Sequence, residues 1–223
     1  MRKLFILSVI LISQVGFSQI RKKLGDFDEV KVFDRISVEL VRSGDPRIEI
    51  SGKRSEDVEV VNNNGQLKIR MKLEQLLSGE EINVVLYHQE LESIDAGEGS
   101  FISSAKEIEQ PSIEIIAKAG SQIKLELDVK KVKVKAVTGS EITLTGAAEN
   151  SDITIGTGGI VDAKKLKTSQ TSVQISAGGE AHVNASDLVD AKVKAGGNVT
   201  IYGDPKHVEE ETVLGGSIVR ANK

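Results

Sequence analysis

Residues 120–159 read GSQIKLELDVKKVKVKAVTGSEITLTGAAENSDITIGTGG. Apolar and polar residues alternate through it, and the alternation restarts after each glycine. Counted from its glycine, position three is Ile123 or Ile142 and position five is Leu125 or Leu144. Between them stand polar residues such as Lys124 and Thr143. A period of two marks strands with one buried face. Nineteen residues after Gly120 the same columns return at Gly139, and again at Gly158. A fixed period of that size marks a solenoid, in which one small unit is stacked on copies of itself.

The pattern extends in both directions. Gly97, Gly120, Gly139, Gly158, Gly178, Gly196 and Gly215 are separated by 23, 19, 19, 20, 18 and 19 residues. Position three continues as Val161, Ala181, Val199 and Ile218, and position five as Ala163, Val183 and Ile201. Three residues before the glycines stand Ile94, Ala117, Ala136, Ile155, Ile175 and Val193. Five before stand Ile115, Val134, Ile153, Val173 and Ala191. A looser apolar position, Val129, Ala148, Leu166 and Leu188, reads as a third face. Three faces and coils of about nineteen residues describe an all-β, right-handed parallel β-helix. The hand follows the general preference of parallel crossovers. A left-handed helix built on strict hexapeptides is disfavoured by the variable spacing. The seven glycines read as corners, where φ > 0 and close approach of stacked turns exclude a Cβ. A phosphate-cradling glycine loop needs a following helix, and none is visible.

The N-terminal third lacks the glycine period but stays β-rich. Residues 1–18 read as a secretory signal peptide: Arg2 and Lys3, then an apolar run, then Gly16 and Ser18 before cleavage ahead of Gln19. Residues 19–32 form a lead-in, and 33–220 a single β-helix domain. Within that domain 33–90 are wider first coils, or cap, and 91–220 the regular repeats. Turns are expected at Gly44-Asp45-Pro46 and at Asn62 to Gly65, with one short helical stretch at Lys72 to Leu77.

Composition limits function. The sequence holds no cysteine, so neither disulfides nor a thiol nucleophile is available. Without Arg2 and Lys3 the 29 basic residues become 27, against 33 acids, a net charge of −6. That argues against nucleic acid as a partner. There is no Trp, and Phe27, Phe33, Tyr87, Phe101 and Tyr202 are scattered, so a stacked aromatic platform is not expected. His88 falls in a loop after INVVLY, His182 on an outer column and His207 in a turn; all three read as solvated. Asp95 and Glu98 flank the first repeat glycine, and Asp162 shares the column of His182. Such pairings arise on any polar ladder. Glu209 to Glu211 read as a solvated acidic turn. No catalytic, cofactor-binding or metal-ligating residue is assigned.

The strings FDRISVELVRSGDPRIEISGKRSEDVEVVNNNGQLKIRM (33–71) and INVVLYHQELESIDAGEGSFI (82–102), followed by the AGS, TGS and AGG repeats, carry a resemblance. In this order they resemble the auto-transporter adhesin family with the "head GIN" domain, common in secreted and surface proteins of Bacteroidetes. The resemblance spans about residues 33–220. It implies a right-handed β-helix and a role in surface adhesion, and it brings no catalytic residues. The expectation is an exported, non-enzymatic surface or ligand-binding protein, in the periplasm, on the cell surface or outside the cell. Its partner would be an envelope component, a glycan or another protein, met by repeated polar ladders. Open solenoid ends make self-association an expectation as well. The alternative is a lyase-like enzyme acting on polysaccharide from the same scaffold; short, regular turns argue against it.

Overall fold

The computed structural model describes residues 19–221; the signal-peptide reading of 1–18 lies outside them. Alternation becomes strand along the whole described chain. The strands are β1 (Ile20–Lys23), β2 (Glu29–Val32), β3 (Ser37–Arg42), β4 (Arg47–Gly52), β5 (Val58–Asn63), β6 (Gln66–Met71), β7 (Ile82–His88), β8 (Ser93–Ala96) and β9 (Phe101–Ser104). They continue as β10 (Ile108–Ala117), β11 (Gln122–Val137), β12 (Glu141–Gly156), β13 (Ile160–Ile175), β14 (Glu180–Ala195), β15 (Asn198–Gly203), β16 (His207–Leu214) and β17 (Ser217–Arg220). Helix among the described residues is limited to two single turns, Ser55–Asp57 and Leu73–Gln75.

The long strands β11 to β14 are whole coils, each stacked parallel on the next. Ile123, Ile142, Val161, Ala181 and Val199 are register partners and all are buried. So are Val134, Ile153, Val173 and Ala191. Each fully buried aliphatic side chain contributes on the order of 1.5–3 kcal/mol, which replaces disulfides as the source of cohesion. The strands are long because they bend rather than end. In β11 the inward sequence of Ile123, Leu125, Leu127 and Val129 breaks at two exposed neighbours, Lys130 and Lys131, then resumes at Val132. Two successive outward residues are impossible in a straight strand, so each such pair is a corner. In β13 the breaks fall at Lys164–Lys165 and Ser169–Gln170, which yields three short faces.

The irregular spacing is absorbed at these corners. Register shifts between Thr143 and Thr145 where β12 meets β13, and again between Asp162 and Lys167 and between Thr168 and Gln170 where β13 meets β14. As a result Leu188 does not point inward as the sequence reading placed it. It pairs with Gln170 on the outside, and its neighbour Val189 takes the buried site.

The N-terminal third is stacked out of chain order. On one face the order is β1, β4, β7, β3, β9, β11; on the other it is β5, β6, β2, β8, β10. The rung made by β2 and β3 therefore sits between β6–β7 and β8–β9. The outermost strands β1, β4 and β5 pair antiparallel. These residues are thus not simply wider first coils: antiparallel strands close the stack, one pair of them a hairpin in which Asn64 and Gly65, both at positive φ, make the two-residue turn joining β5 to β6.

The other end is built differently. Glu209, Glu210 and Glu211 form no turn; they lie in β16, in register with Asp190, Ala191 and Lys192. Glu210 thus occupies the column of Val134, Ile153, Val173 and Ala191, and Thr212 the column of Ile155, Ile175 and Val193. In these two columns the inward residue changes from aliphatic to polar in β16, while Val208 and Ile218 continue their own columns with aliphatic side chains.

Candidate functional site

At six of the seven corner glycines the backbone angle, not close approach of stacked turns, selects glycine. A Cβ on Gly120, Gly139, Gly158, Gly178, Gly196 or Gly215 would meet open space, and all of these lie at φ between 59 and 73°. Gly97 does not; in its coil Glu98 (φ 54°) and Gly99 (φ 70°) hold the left-handed positions, and Gly97 packs on the Phe33 ring instead. The interval from Gly99 to Gly120 is 21 residues, closer to the period than the 23 counted from Gly97. The small residue after the corner faces the interior. Ser100, Ser121 and Ser140 are buried and donate to Val32, Ala96 and Ala117 carbonyls at 3.0, 2.8 and 2.8 Å. One coil on, Gly159 stands in that place, where a Cβ would lie 2.3 Å from the Ala136 carbonyl oxygen.

A long concavity runs along the third face. It is a groove of about 920 Å³ walled by the same three-residue step in successive coils: Asp128 to Lys130, Ala147 to Glu149, Lys167 to Ser169, and Asn184 to Ser186. Gly203 and Asp204 add a fifth rung, and Glu109 to Pro111 with Glu90 form the head. Five rungs at about 4.8 Å span roughly 19 Å. The middle is shallow-walled because both residues there are alanines, and because Gly146 lets the corner tighten: a Cβ on it would meet the Leu127 carbonyl oxygen at 2.1 Å. The floor is rigid. Thr168 donates to the Asn184 carbonyl (2.9 Å) and accepts from Thr171 (2.8 Å), Asn184 donates to the Lys164 carbonyl (2.8 Å), and Gln110 donates to Leu91 (2.7 Å). Among its lining residues Glu90, Glu109, Asp128, Glu149 and Asp204 face only Lys130 and Lys167, and no aromatic side chain is present.

The residues singled out in the sequence do not converge. His88 is not a solvated loop residue: it is the last residue of β7, 2% exposed, and burial holds its imidazole below the ordinary range. His182 sits on the outer column beside Asp162 and Thr200 as expected, bonded to Glu180 at 3.0 Å and packed near the Tyr202 ring. Asp162 pairs with Lys164 instead, at 3.2 Å. His207 is exposed at the start of β16. Asp95 is buried and bound to Lys118 at 2.8 Å. Glu98 is exposed, its carboxyl held above the usual range by partial desolvation and by the neighbouring Asp34. Asp34 is itself buried, accepting from the Met71 and Leu77 backbone N–H groups, and so fixes a loop.

A β-solenoid with a long polar groove along one face is the class of protein that the fold and this site define. The family described as "Putative auto-transporter adhesin, head GIN domain" matches residues 26–205, and the chain belongs to it. No curated protein matches the chain. Among solved structures, the chain is similar to a putative adhesin from Bacteroides fragilis (TM-score 0.86, 15% identity, covering 93% of this chain and 98% of that one). It is also similar to a putative adhesin from Parabacteroides distasonis (TM-score 0.75, 18% identity, covering 92% and 97%). A third, from Parabacteroides distasonis, is described as a putative lipid binding protein (TM-score 0.72, 16% identity, covering 94% and 98%). At these identities the likeness is one of fold.

The sequence reading missed the groove. Its signal was the outward pair Lys130–Lys131 and its counterparts, which mark where each coil turns inward on itself.

Proposed function

We propose that the chain is an exported, non-enzymatic adhesin-type protein that holds an extended partner in the third-face groove. One observation carries this reading: the groove is continuous across five coils, four of which contribute the same three-residue step. An extended partner laid along it meets one set of contacts per rung, and weak contacts at fixed spacing add through avidity. The five acids against two lysines favour a neutral or cationic partner. They weigh against a uronate polysaccharide, the substrate a lyase would take. Membership of an adhesin family supports placement outside the cytoplasm.

The test is capture of envelope components and an arrayed glycan panel by the immobilised chain, wild type against Ala147→Trp. Ala147 is exposed, so the indole fills the groove and leaves the core intact. Wild type should retain a component that the variant loses. Equal capture by both would place binding elsewhere on the molecule.

A further inference from the structure

A second cavity, of about 340 Å³, opens beside the head of the groove and shares Glu109 and Gln110 with it. It forms where β3 ends at Arg42, where β7 ends at His88, and where residues 105–107 turn into β10. Arg42 and His88 are register partners on adjacent parallel strands. The inward alternation of Ile82, Val84 and Leu86 carries His88 into the interior, so an imidazole stands where the pattern calls for an aliphatic residue.

The tautomer follows from its neighbour. Nδ1 lies 3.0 Å from the Gln89 carbonyl oxygen, which can only accept, so Nδ1 carries the proton and Nε2 the lone pair. Nε2 makes no hydrogen bond among the described residues. Burial holds the imidazole neutral, the Arg42 charge adds to this, and the bond to Gln89 opposes both. Nε2, unpartnered among the described residues, is not sealed from water, so a ligand in the cavity that His88 lines can reach its lone pair. Around it the charges balance, Arg42 and Lys106 against Glu107 and Glu109. Arg42 is held by the Glu109 carbonyl and lies 3.8 Å from Glu90. Leu40 and Ile108 supply an apolar wall.

We propose that this cavity binds a neutral, hydroxyl-bearing ring, a sugar residue free or at the end of a glycan, with one hydroxyl donating to His88 Nε2. A hydroxyl both donates to Nε2 and accepts from a neighbouring cation. An ammonium ligand would meet Arg42 and Lys106, and a carboxylate would meet Glu107 and Glu109. The C–H face of the ring lies on the apolar wall. The cavity lies at the small end of ordinary ligand pockets, which run from about 300 to 1,000 Å³, so it suits one small ring rather than a long chain. Apart from Glu109 and Gln110 its lining is its own, so the proposal stands whether or not the groove is occupied.

The test is nuclear magnetic resonance of the full chain titrated with glucose, N-acetylglucosamine and maltotriose. Glucosamine and glucuronate serve as charged comparators and 1-hexanol as an apolar one. The neutral sugars should shift the His88, Ala105 and Ile108 signals saturably, at least tenfold more tightly than either charged comparator. Tighter binding of maltotriose than glucose identifies a chain end, and equal binding a free sugar. Ala105→Trp, at an exposed position lining the cavity, should abolish the shifts in a folded protein. The proposal is overturned if no neutral sugar shifts these signals, if a charged comparator binds as tightly, if only 1-hexanol binds, or if Ala105→Trp changes nothing.

Discussion

At the residue scale the corner is the unit that decides. Gly139 and Gly159 are both glycines for different reasons. A Cβ on Gly139 would meet open space, so Gly139→Ala suffers only the left-handed backbone, about 1–2 kcal/mol. A Cβ on Gly159 would strike the Ala136 carbonyl, which is sheet backbone and cannot move aside cheaply. Thermal melts should show the Gly159→Ala variant losing clearly more stability than Gly139→Ala; equal losses would contradict the assignment. His88 gives a pH-dependent term. Its folded-state pKa lies below the ordinary value near 6.5, so the unfolded chain binds the extra proton first. Its contribution is complete above about pH 6.5 and is lost as pH falls through the lower folded value. Melting temperature against pH should fall more steeply below pH 6.5 for wild type than for His88→Gln, with parallel curves as the contrary result.

At the element scale the coil was largely legible. The columns through Ile123, Val134 and Ala136 follow from alternation and a period, and the structure buries them. Errors came where the period slips. Leu188 was misplaced because register shifts within β13 and β14 move the inward phase by one residue. The sequence reading places the corner at Gly97, but Glu98 and Gly99 hold the left-handed positions, and within the AGEGS stretch only backbone angles tell the two glycines apart. His88 was readable in principle, since Ile82, Val84 and Leu86 point to it, but a polar residue at a strand end resembles a loop. The N-terminal stacking order was not readable, because local alternation says nothing about which distant strand is the neighbour. A prediction belongs to this scale. Ile142 is fully buried between Ile123 and Val161. Ile142→Lys leaves an unpaired charge there, which costs about 3–5 kcal/mol or more on top of lost burial, against a total stability of about 5–15 kcal/mol. The variant should be unfolded or aggregated by circular dichroism and gel filtration, and a wild-type melt would mean the column is misassigned.

At the scale of the whole molecule the two ends differ. Antiparallel strands close the N-terminal end, whereas β16 and β17 each pair on one side only among the described residues. Val213 and Leu214 are exposed there, at 60% and 73%. The three glutamates of β16 oppose pairing with a like edge, a common defence of open sheets. We propose that self-association through this end is held back by charge. Glu210→Val with Thr212→Val continues the aliphatic columns to the edge and should drive association in sedimentation experiments; a double variant as monomeric as wild type would contradict this. The groove belongs to this scale too. Its shape depends on how sharply each coil bends, which no local pattern encodes.

The central claim is that the coils stack in register, so that like positions lie one above another. The sequence contains no cysteine, which makes a disulfide scan clean. Lys124 and Thr143 are outward register partners on β11 and β12, and neighbouring rungs stand about 4.8 Å apart, within reach of a disulfide. Cysteines at 124 and 143 should cross-link quantitatively on mild oxidation without loss of melting temperature. Cysteines at 124 and 142, whose side chains point to opposite faces, should not. Cross-linking of the second pair in the folded protein, or failure of the first, would contradict the stacked register on which the groove and its proposed role depend.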